Sequence, residues 1–77
     1  MKQQTNPFIH CDPEIHHGRA CFRGTRVPVY IVLELLEAGE TPEEILEDYP
    51  RLTLRHVQAA LHFAAETLKN SDYALLA

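Results

Sequence analysis

The side chains best suited to chemistry in this sequence lie around a turn between two predicted helices. Arg51 lies in the turn, Thr53 can begin the second helix, and its first two turns carry Arg55, His56 and Gln58. Arginine can bind guanine and glutamine can bind adenine by paired hydrogen bonds in the DNA major groove. Arg55 and Gln58 are therefore predicted to contact bases. Arg51 and Thr53 are predicted to hold phosphates, with His56 beside them.

The elements that would position these residues have the spacing of a helix-turn-helix. The stretch from Thr41 to Leu61 indicates a short capped helix, a turn of about four residues and a second capped helix. Such a unit places the start of its second helix in the major groove. Small helical proteins also pack in this way without touching DNA, so the spacing alone leaves both interpretations open.

A second group of candidate residues consists of three arginines in the N-terminal part of the chain: Arg19, Arg23 and Arg26. Together they could form a basic patch for a protein partner. Alternatively, Arg26 could pair with a carboxylate such as Asp12 or Glu14, because the start of a helix does not favour a cation.

A third group contains side chains able to ligate metals: His10, Cys11, His16, His17 and Cys21. Structural zinc sites use regular Cys and His pairs, and this spacing matches none of them. We therefore expect no metal and no cofactor. We also expect no enzymatic activity, because the sequence contains no nucleophile motif, no phosphate-binding glycine loop and no zincin signature.

The pattern of the whole chain predicts a mainly α fold with a small N-terminal β-hairpin. Residues 1–7 are predicted to be a flexible arm and residues 70–77 a C-terminal tail. Between them lies one domain, 8–69, with its β element at 8–26 and a helical helix-turn-helix core at 28–69. The strands are predicted at Phe8–His10 and Ala20–Arg23.

Capping signals divide the helical core into three helices. Pro28 suits the first turn of a helix that Gly39 ends. Thr41 and Glu44 form a capping box, and Thr53 caps a last helix that runs to about Lys69. Apolar residues at helical spacing predict the buried face of that helix: Leu54, Val57, Leu61, Ala64 and Leu68. Ala60 and Ala65 are predicted to widen this face, with Ala59 on the opposite side.

Size and charge bear on the partners of the chain. It has 77 residues and a net charge of −4, and its acidic residues are concentrated between 34 and 50, where no Lys or Arg occurs. A net negative charge excludes non-specific coating of DNA. The predicted helix at 29–36 is apolar on nearly every face, so we expect part of it to face a second subunit in a homodimer.

The expected location is the cytoplasm. The first residues form no secretory signal and no apolar run is long enough to span a membrane. Two cysteines in such a chain indicate a reducing compartment, so Cys11 and Cys21 are expected to be reduced and buried near the hairpin.

Several motifs resemble one bacterial family. They are Gly-Thr-Arg-Val-Pro-Val at 24–29, Pro-Glu-Glu-Ile-Leu at 42–46 and Tyr-Pro at 49–50. Over residues 8–68 the chain is similar to the domain-of-unknown-function family number 433, the VapB-type antitoxin-like proteins. That resemblance implies a homeodomain-like, dimeric fold. It also implies an antitoxin of a type II toxin-antitoxin system, whose toxin is a PIN-like ribonuclease. Family members commonly carry acidic residues where this chain has Arg55 and His56, a change that favours phosphate contact.

The leading hypothesis is an antitoxin that neutralises this toxin and can repress its own operon. The toxin would be held by the basic hairpin or by the apolar tail, whose candidate residues are Tyr73, Leu75 and Leu76. The alternative is a protein-interaction module that does not bind DNA and docks through the acidic residues at 34–50. A steep salt dependence of duplex binding would favour the first hypothesis.

Overall fold

The computed structural model describes residues 6–14 and 18–70. Two short strands, β1 (Ile9–Cys11) and β2 (Ala20–Phe22), form an antiparallel pair in which Ile9 lies opposite Phe22. Three helices follow: α1 (Val29–Glu37), α2 (Pro42–Asp48) and α3 (Leu54–Lys69). The predicted mainly α fold with a small N-terminal hairpin is confirmed.

Both strands deviate from the sequence prediction by one residue. The strand predicted from Phe8 begins at Ile9, because the side-chain oxygen of Asn6 accepts a hydrogen bond from the Phe8 N–H at 3.0 Å and turns the chain there. The strand predicted to include Arg23 ends at Phe22. Side-chain oxygens that bond nearby backbone N–H groups compete with strand pairing in this way.

A tight loop follows β2 and leads into α1. The hydroxyl of Thr25 donates to the Phe22 carbonyl at 2.8 Å and accepts from the Val27 N–H at 3.0 Å. Gly24 at the tip has a φ of 81°, a conformation that only glycine adopts without strain. The loop is therefore held in one shape by the side chain of Thr25.

The ends of α1 and α2 follow the capping signals. Past the end of α1, the Gly39 N–H donates to the Leu36 carbonyl and the Glu40 N–H to the Leu35 carbonyl, each at 3.0 Å. This pair of bonds is a Schellman motif, with Gly39 at a φ of 98°. Next, the Thr41 N–H donates to Glu44 Oε1 at 2.9 Å, while Thr41 Oγ1 accepts from the Glu44 N–H at 3.2 Å. The predicted helix stop and capping box are confirmed.

The core draws one large side chain from each of four elements. The largest fully buried side chains are those of Phe22, Val32, Ile45 and Val57. On α1, the large apolar side chains are buried or half-buried except Tyr30, which is 38% exposed. The rest of the chain therefore covers most of α1, and the expected contact of part of α1 with a second subunit stays a prediction.

The buried face of α3 differs from the predicted one. Its buried residues are Val57, Ala59 and Ala60, whereas Leu54, Leu61 and Leu68 are 48%, 50% and 62% exposed. The prediction is confirmed for Val57 and Ala60 but wrong for the three leucines and for Ala59, because the leucine spacing and the alanine positions define two different faces of one helix. The alanine face was selected, since small side chains let the neighbouring elements approach α3 closely. We call the exposed set Leu54, Leu61 and Leu68 the leucine row.

Candidate nucleic-acid interface

The α2–α3 unit presents the first turns of α3 at the protein surface. Leu52 in the connecting turn is 3% exposed and its N–H donates to the Tyr49 carbonyl at 2.9 Å, so the turn is anchored to the core. Pro50 keeps Tyr49 out of helical geometry, with a φ of −128° and a ψ of 76°. The start of α3 is thus held rigidly relative to α2.

Arg55 and Gln58 are both exposed and line the same open groove. The groove runs between α3 and the segment before β1, has a volume of about 350 Å³, and is also lined by Phe8 and His62. The guanidinium carbon of Arg55 lies 6.0 Å from the centre of the Phe8 ring, within reach of a cation–π contact. The structure therefore brings together the two residues that the sequence assigned to bases.

His56 has a structural task that the sequence analysis did not foresee. Its Nδ1 accepts a hydrogen bond from the Thr53 N–H at 2.9 Å, in the position where a capping box usually has Glu or Gln. Its ring also makes edge contacts with Phe8 and Phe22, at centroid distances of 5.1 and 5.5 Å. Because His56 is turned toward the protein, we leave it out of the surface proposed below.

The cap makes the stability of the fold depend on pH through His56. Burial lowers the pKa of His56 below the ordinary value for histidine. The unfolded chain therefore binds the proton first as pH falls, so the contribution of His56 is complete above about pH 6.5 and decreases below it. We expect the free energy of unfolding of the native protein, measured in urea at a series of pH values, to decrease as the pH falls below about 6.5.

Two variants separate the effect of His56 protonation on stability from the effect of protonating the carboxylates. His56→Gln keeps an acceptor for the Thr53 N–H but cannot be protonated, so it should be less sensitive to pH below about 6.5 than the native protein. His62→Gln, at an exposed position of α3, should keep the native pH dependence. Equal pH dependence in the native protein and in His56→Gln would contradict this role.

The two residues assigned to phosphates both lie at the surface, at the entrance to α3. Arg51 is exposed, and its Nη1 donates weakly to the Gly24 carbonyl at 3.4 Å. Thr53 is also exposed, with Oγ1 3.0 Å from His56 Nδ1. Arg51 therefore touches the loop after β2, a neighbour that the sequence did not reveal.

The three arginines predicted to form one basic patch have different neighbours. The guanidinium of Arg19 lies over the Tyr30 ring at 5.1 Å. Arg23 donates to the carbonyls of Pro7 and Ile9, each at 3.2 Å, and so ties the loop after β2 to β1. Arg26 is exposed and lines a cleft with Arg51.

Other candidate residues are only partly within the described structure. Tyr73, Leu75 and Leu76, like His16 and His17, lie outside it. Among residues 6–14 and 18–70, no three His, Cys, Asp or Glu side chains are grouped to hold a metal ion. Both cysteines are free thiols. Cys21 is buried as expected, and burial raises its pKa, whereas Cys11 is exposed, contrary to expectation.

Two further observations concern the surface. Within the acidic stretch at 34–50, every carboxylate side chain is exposed except that of Glu40, which is half-buried. In the described part of the chain, no helix has the length and apolar character needed to cross a membrane.

Sequence reasoning missed the exposure of the leucine row, although its seven-residue spacing was a usable signal of a second apolar face.

Two of the comparisons with known proteins point to the same family. The family described as "Protein of unknown function (DUF433)" matches residues 9–64. The uncharacterized protein y4eO of Sinorhizobium fredii is 40% identical over 57 residues, which are 74% of this chain and 26% of that protein. The chain therefore spans about a quarter of the length of this relative. The crystal structure of a DUF433 member protein from Anabaena variabilis has a TM-score of 0.76 at 28% identity, covering 92% of this chain and 70% of the other.

Proposed function

This chain belongs to the DUF433 family of proteins of unknown function, and on that premise we propose that it is a DNA-binding regulator of the antitoxin type. The proposed role is binding rather than catalysis. The observation that carries it is the exposure of Arg55 and Gln58 on the first two turns of a capped helix whose entry turn is fixed to the core. That is the part of a helix-turn-helix that reads bases.

In the proposed complex, the start of α3 enters the major groove. Arg55 and Gln58 contact base edges, and Arg51 and Thr53 hold the phosphates that flank the groove. The exposed carboxylates of α2 must then lie away from the duplex, since they would repel it. Because the chain has a net charge of −4, binding depends on these few local cations and should weaken steeply with salt.

The decisive variant for DNA recognition is Arg55→Ala. Loss of one paired contact to a base costs about 1–3 kcal/mol, so affinity for the promoter of the protein's own gene should fall roughly 5- to 150-fold. The measurement is a fluorescence-anisotropy titration of that duplex against a scrambled duplex of equal length. Lys69→Ala is the matched control, because it removes the same charge from the far end of α3 and should have little effect.

Two results would refute the DNA half of the proposal. One is a native protein that binds the promoter and the scrambled duplex equally poorly. The other is an equal loss of affinity in Arg55→Ala and Lys69→Ala, which would indicate a general charge effect rather than base recognition.

The toxin half of the proposal rests on the family resemblance. We propose that the chain neutralises a PIN-like ribonuclease, held by the hairpin arginines or by the C-terminal tail. Co-expression with the product of the adjacent gene tests this. A stable complex and restored growth are expected, and the absence of both would refute the antitoxin role while leaving the DNA experiment informative.

We also propose that the working form is a homodimer and that a second copy covers the C-terminal half of α3. Leu61 and Leu68 lie seven residues apart on one exposed face, with the small Ala65 between them. An apolar groove of about 350 Å³, lined partly by Tyr30 and Leu33, continues this surface toward α1. A seven-residue leucine repeat is self-complementary, since the leucines of one helix fit between those of its copy.

This choice of surface is compatible with DNA binding. It leaves the first turns of α3 uncovered, and a two-fold axis would present two such turns to successive half-sites. The leucine row also favours a second candidate, a protein-interaction module that never binds DNA. Duplex affinity with a steep salt dependence would exclude that candidate, and indifference to both DNA and salt would favour it.

A further inference from the structure

The loop after β2 and the turn before α3 meet at a cleft, of whose lining residues the proposed function uses only Arg51. Its volume is about 450 Å³, and it is lined by His10, Gly24, Thr25, Arg26 and Arg51. The two arginines are separated by 25 positions in the sequence and come from different loops, which is why no sequence motif connects them. Two arginines therefore line one small open space.

Both loops that carry the arginines have fixed shapes. The loop with Arg26 is held by the two hydrogen bonds of the Thr25 hydroxyl, and the turn with Arg51 is anchored by buried Leu52. Arg51 also bridges the loops through its contact with the Gly24 carbonyl at 3.4 Å. Because the backbone positions are fixed before any ligand arrives, little ordering entropy remains to be lost on binding.

The chemistry of the lining suits an anion with several oxygen atoms. Each arginine offers planar N–H donors that match phosphate oxygens, and His10 can add a ring N–H. Asp12 Oδ2 lies 4.0 Å from His10 Nε2 and is the neighbouring carboxylate that could orient this ring. A Cβ at Gly24 would meet nothing within 4 Å, so this part of the loop borders open space.

We propose that this cleft binds one phosphate group, held between Arg26 and Arg51. Two sources share that chemistry: a phosphate of a nucleic-acid backbone and the phosphate of a free nucleotide. The first source rests on the proposed function, because the cleft lies beside the entrance to α3, and it would make the hairpin loop part of the DNA contact. The second does not depend on DNA binding.

The site itself is tested with inorganic phosphate, independently of any duplex. Phosphate is titrated into the native protein at constant ionic strength while NMR follows the Gly24 amide and the Nε–H signals of Arg26 and Arg51. We expect saturable shifts at these signals, and affinity at least about 10-fold weaker in Arg26→Ala and Arg51→Ala. Arg19→Ala, a change of the same charge beside Tyr30, should bind phosphate as the native protein does.

Arg26→Lys separates the planar geometry of the guanidinium from its positive charge. Lysine keeps the charge but loses the paired N–H donors, so this variant should recover only part of the phosphate affinity that Arg26→Ala loses. The three positions changed in these four variants carry exposed side chains, and a circular-dichroism spectrum checks that each variant is folded. Unshifted signals in the native protein, or shifts that persist in both alanine variants, would overturn the proposal.

A second experiment distinguishes the two sources of the bound phosphate. If the phosphate belongs to a duplex, Arg26→Ala should lower the slope of log affinity against log salt by about one, without changing the preference for the promoter. If it belongs to a nucleotide, a nucleoside monophosphate should shift the same signals and the duplex slope should stay unchanged. A native protein that binds the promoter but shows no saturable phosphate shifts would refute only the cleft, and one that binds phosphate but not the promoter would refute only the DNA function.

Discussion

Replacing Phe22 with alanine is expected to remove more than half of the free energy of unfolding of the protein. Phe22 is 0% exposed and packs in the core cluster from the end of β2. Truncating a buried phenylalanine costs about 3–5 kcal/mol, because apolar contacts are lost and a cavity remains. Small domains are stable by about 5–15 kcal/mol, and one of this length is expected near the lower end of that range. The measurement is urea denaturation followed by circular dichroism.

Phe8 provides the matched control for this prediction. Its ring also contacts His56, at a centroid distance of 5.1 Å, but Phe8 is only half-buried. Phe8→Ala should therefore cost about 1–2 kcal/mol and leave the protein folded. A loss below about 1 kcal/mol in Phe22→Ala, or an equal loss in both variants, would contradict the assignment of Phe22 to the centre of the core.

The second large effect concerns the proposed homodimer. Changing Leu61 and Leu68 together to glutamate would place unpaired carboxylates in the interface, where each must lose its hydration. We expect the dissociation constant of the dimer to rise at least about 100-fold, or roughly 3 kcal/mol. Both side chains are half or more exposed in the isolated chain, so each monomer should stay folded. Sedimentation equilibrium at micromolar concentrations measures the change.

The control is Ala38→Glu, which adds a carboxylate at an exposed position after α1 and outside the leucine row. It should leave the dimer intact. If dimerisation also supports operator binding, the double variant should lose promoter affinity while its first α3 turn is unchanged. A native protein that sediments as a monomer at micromolar concentrations would refute the dimer, whatever the variants do.

The sequence was sufficient for those features that depend on residues close together in the chain. The stop at Gly39, the Thr41 capping box and the start of α3 at Leu54 agree with the sequence prediction. Each depends on hydrogen bonds between residues at most five apart, so the residue types alone carry the information. The family resemblance over residues 8–68 likewise agrees with the match at 9–64.

The candidate site was predicted only in part. Arg51, Thr53, Arg55 and Gln58 are all exposed where α3 begins, as a DNA surface requires. The three hairpin arginines have separate neighbours, since Arg23 donates to the carbonyls of Pro7 and Ile9 and Arg19 lies over Tyr30, so their role as one patch for a partner stays a prediction. The binding partners of a long cationic side chain depend on which backbone groups and aromatic rings come near it. The spacing of residues in the sequence does not reveal these groups.

Packing between elements decided the rest. Helical spacing allows α3 to bury either its leucines or its alanines, and only the approach of α1, α2 and the hairpin selected the alanine face. The same packing turned His56 inward against Phe8 and Phe22 and brought Arg26 and Arg51 to one cleft. Chain-local bonds thus determined where each helix begins and ends, while the side of α3 that reaches solvent was determined by close contact among distant segments.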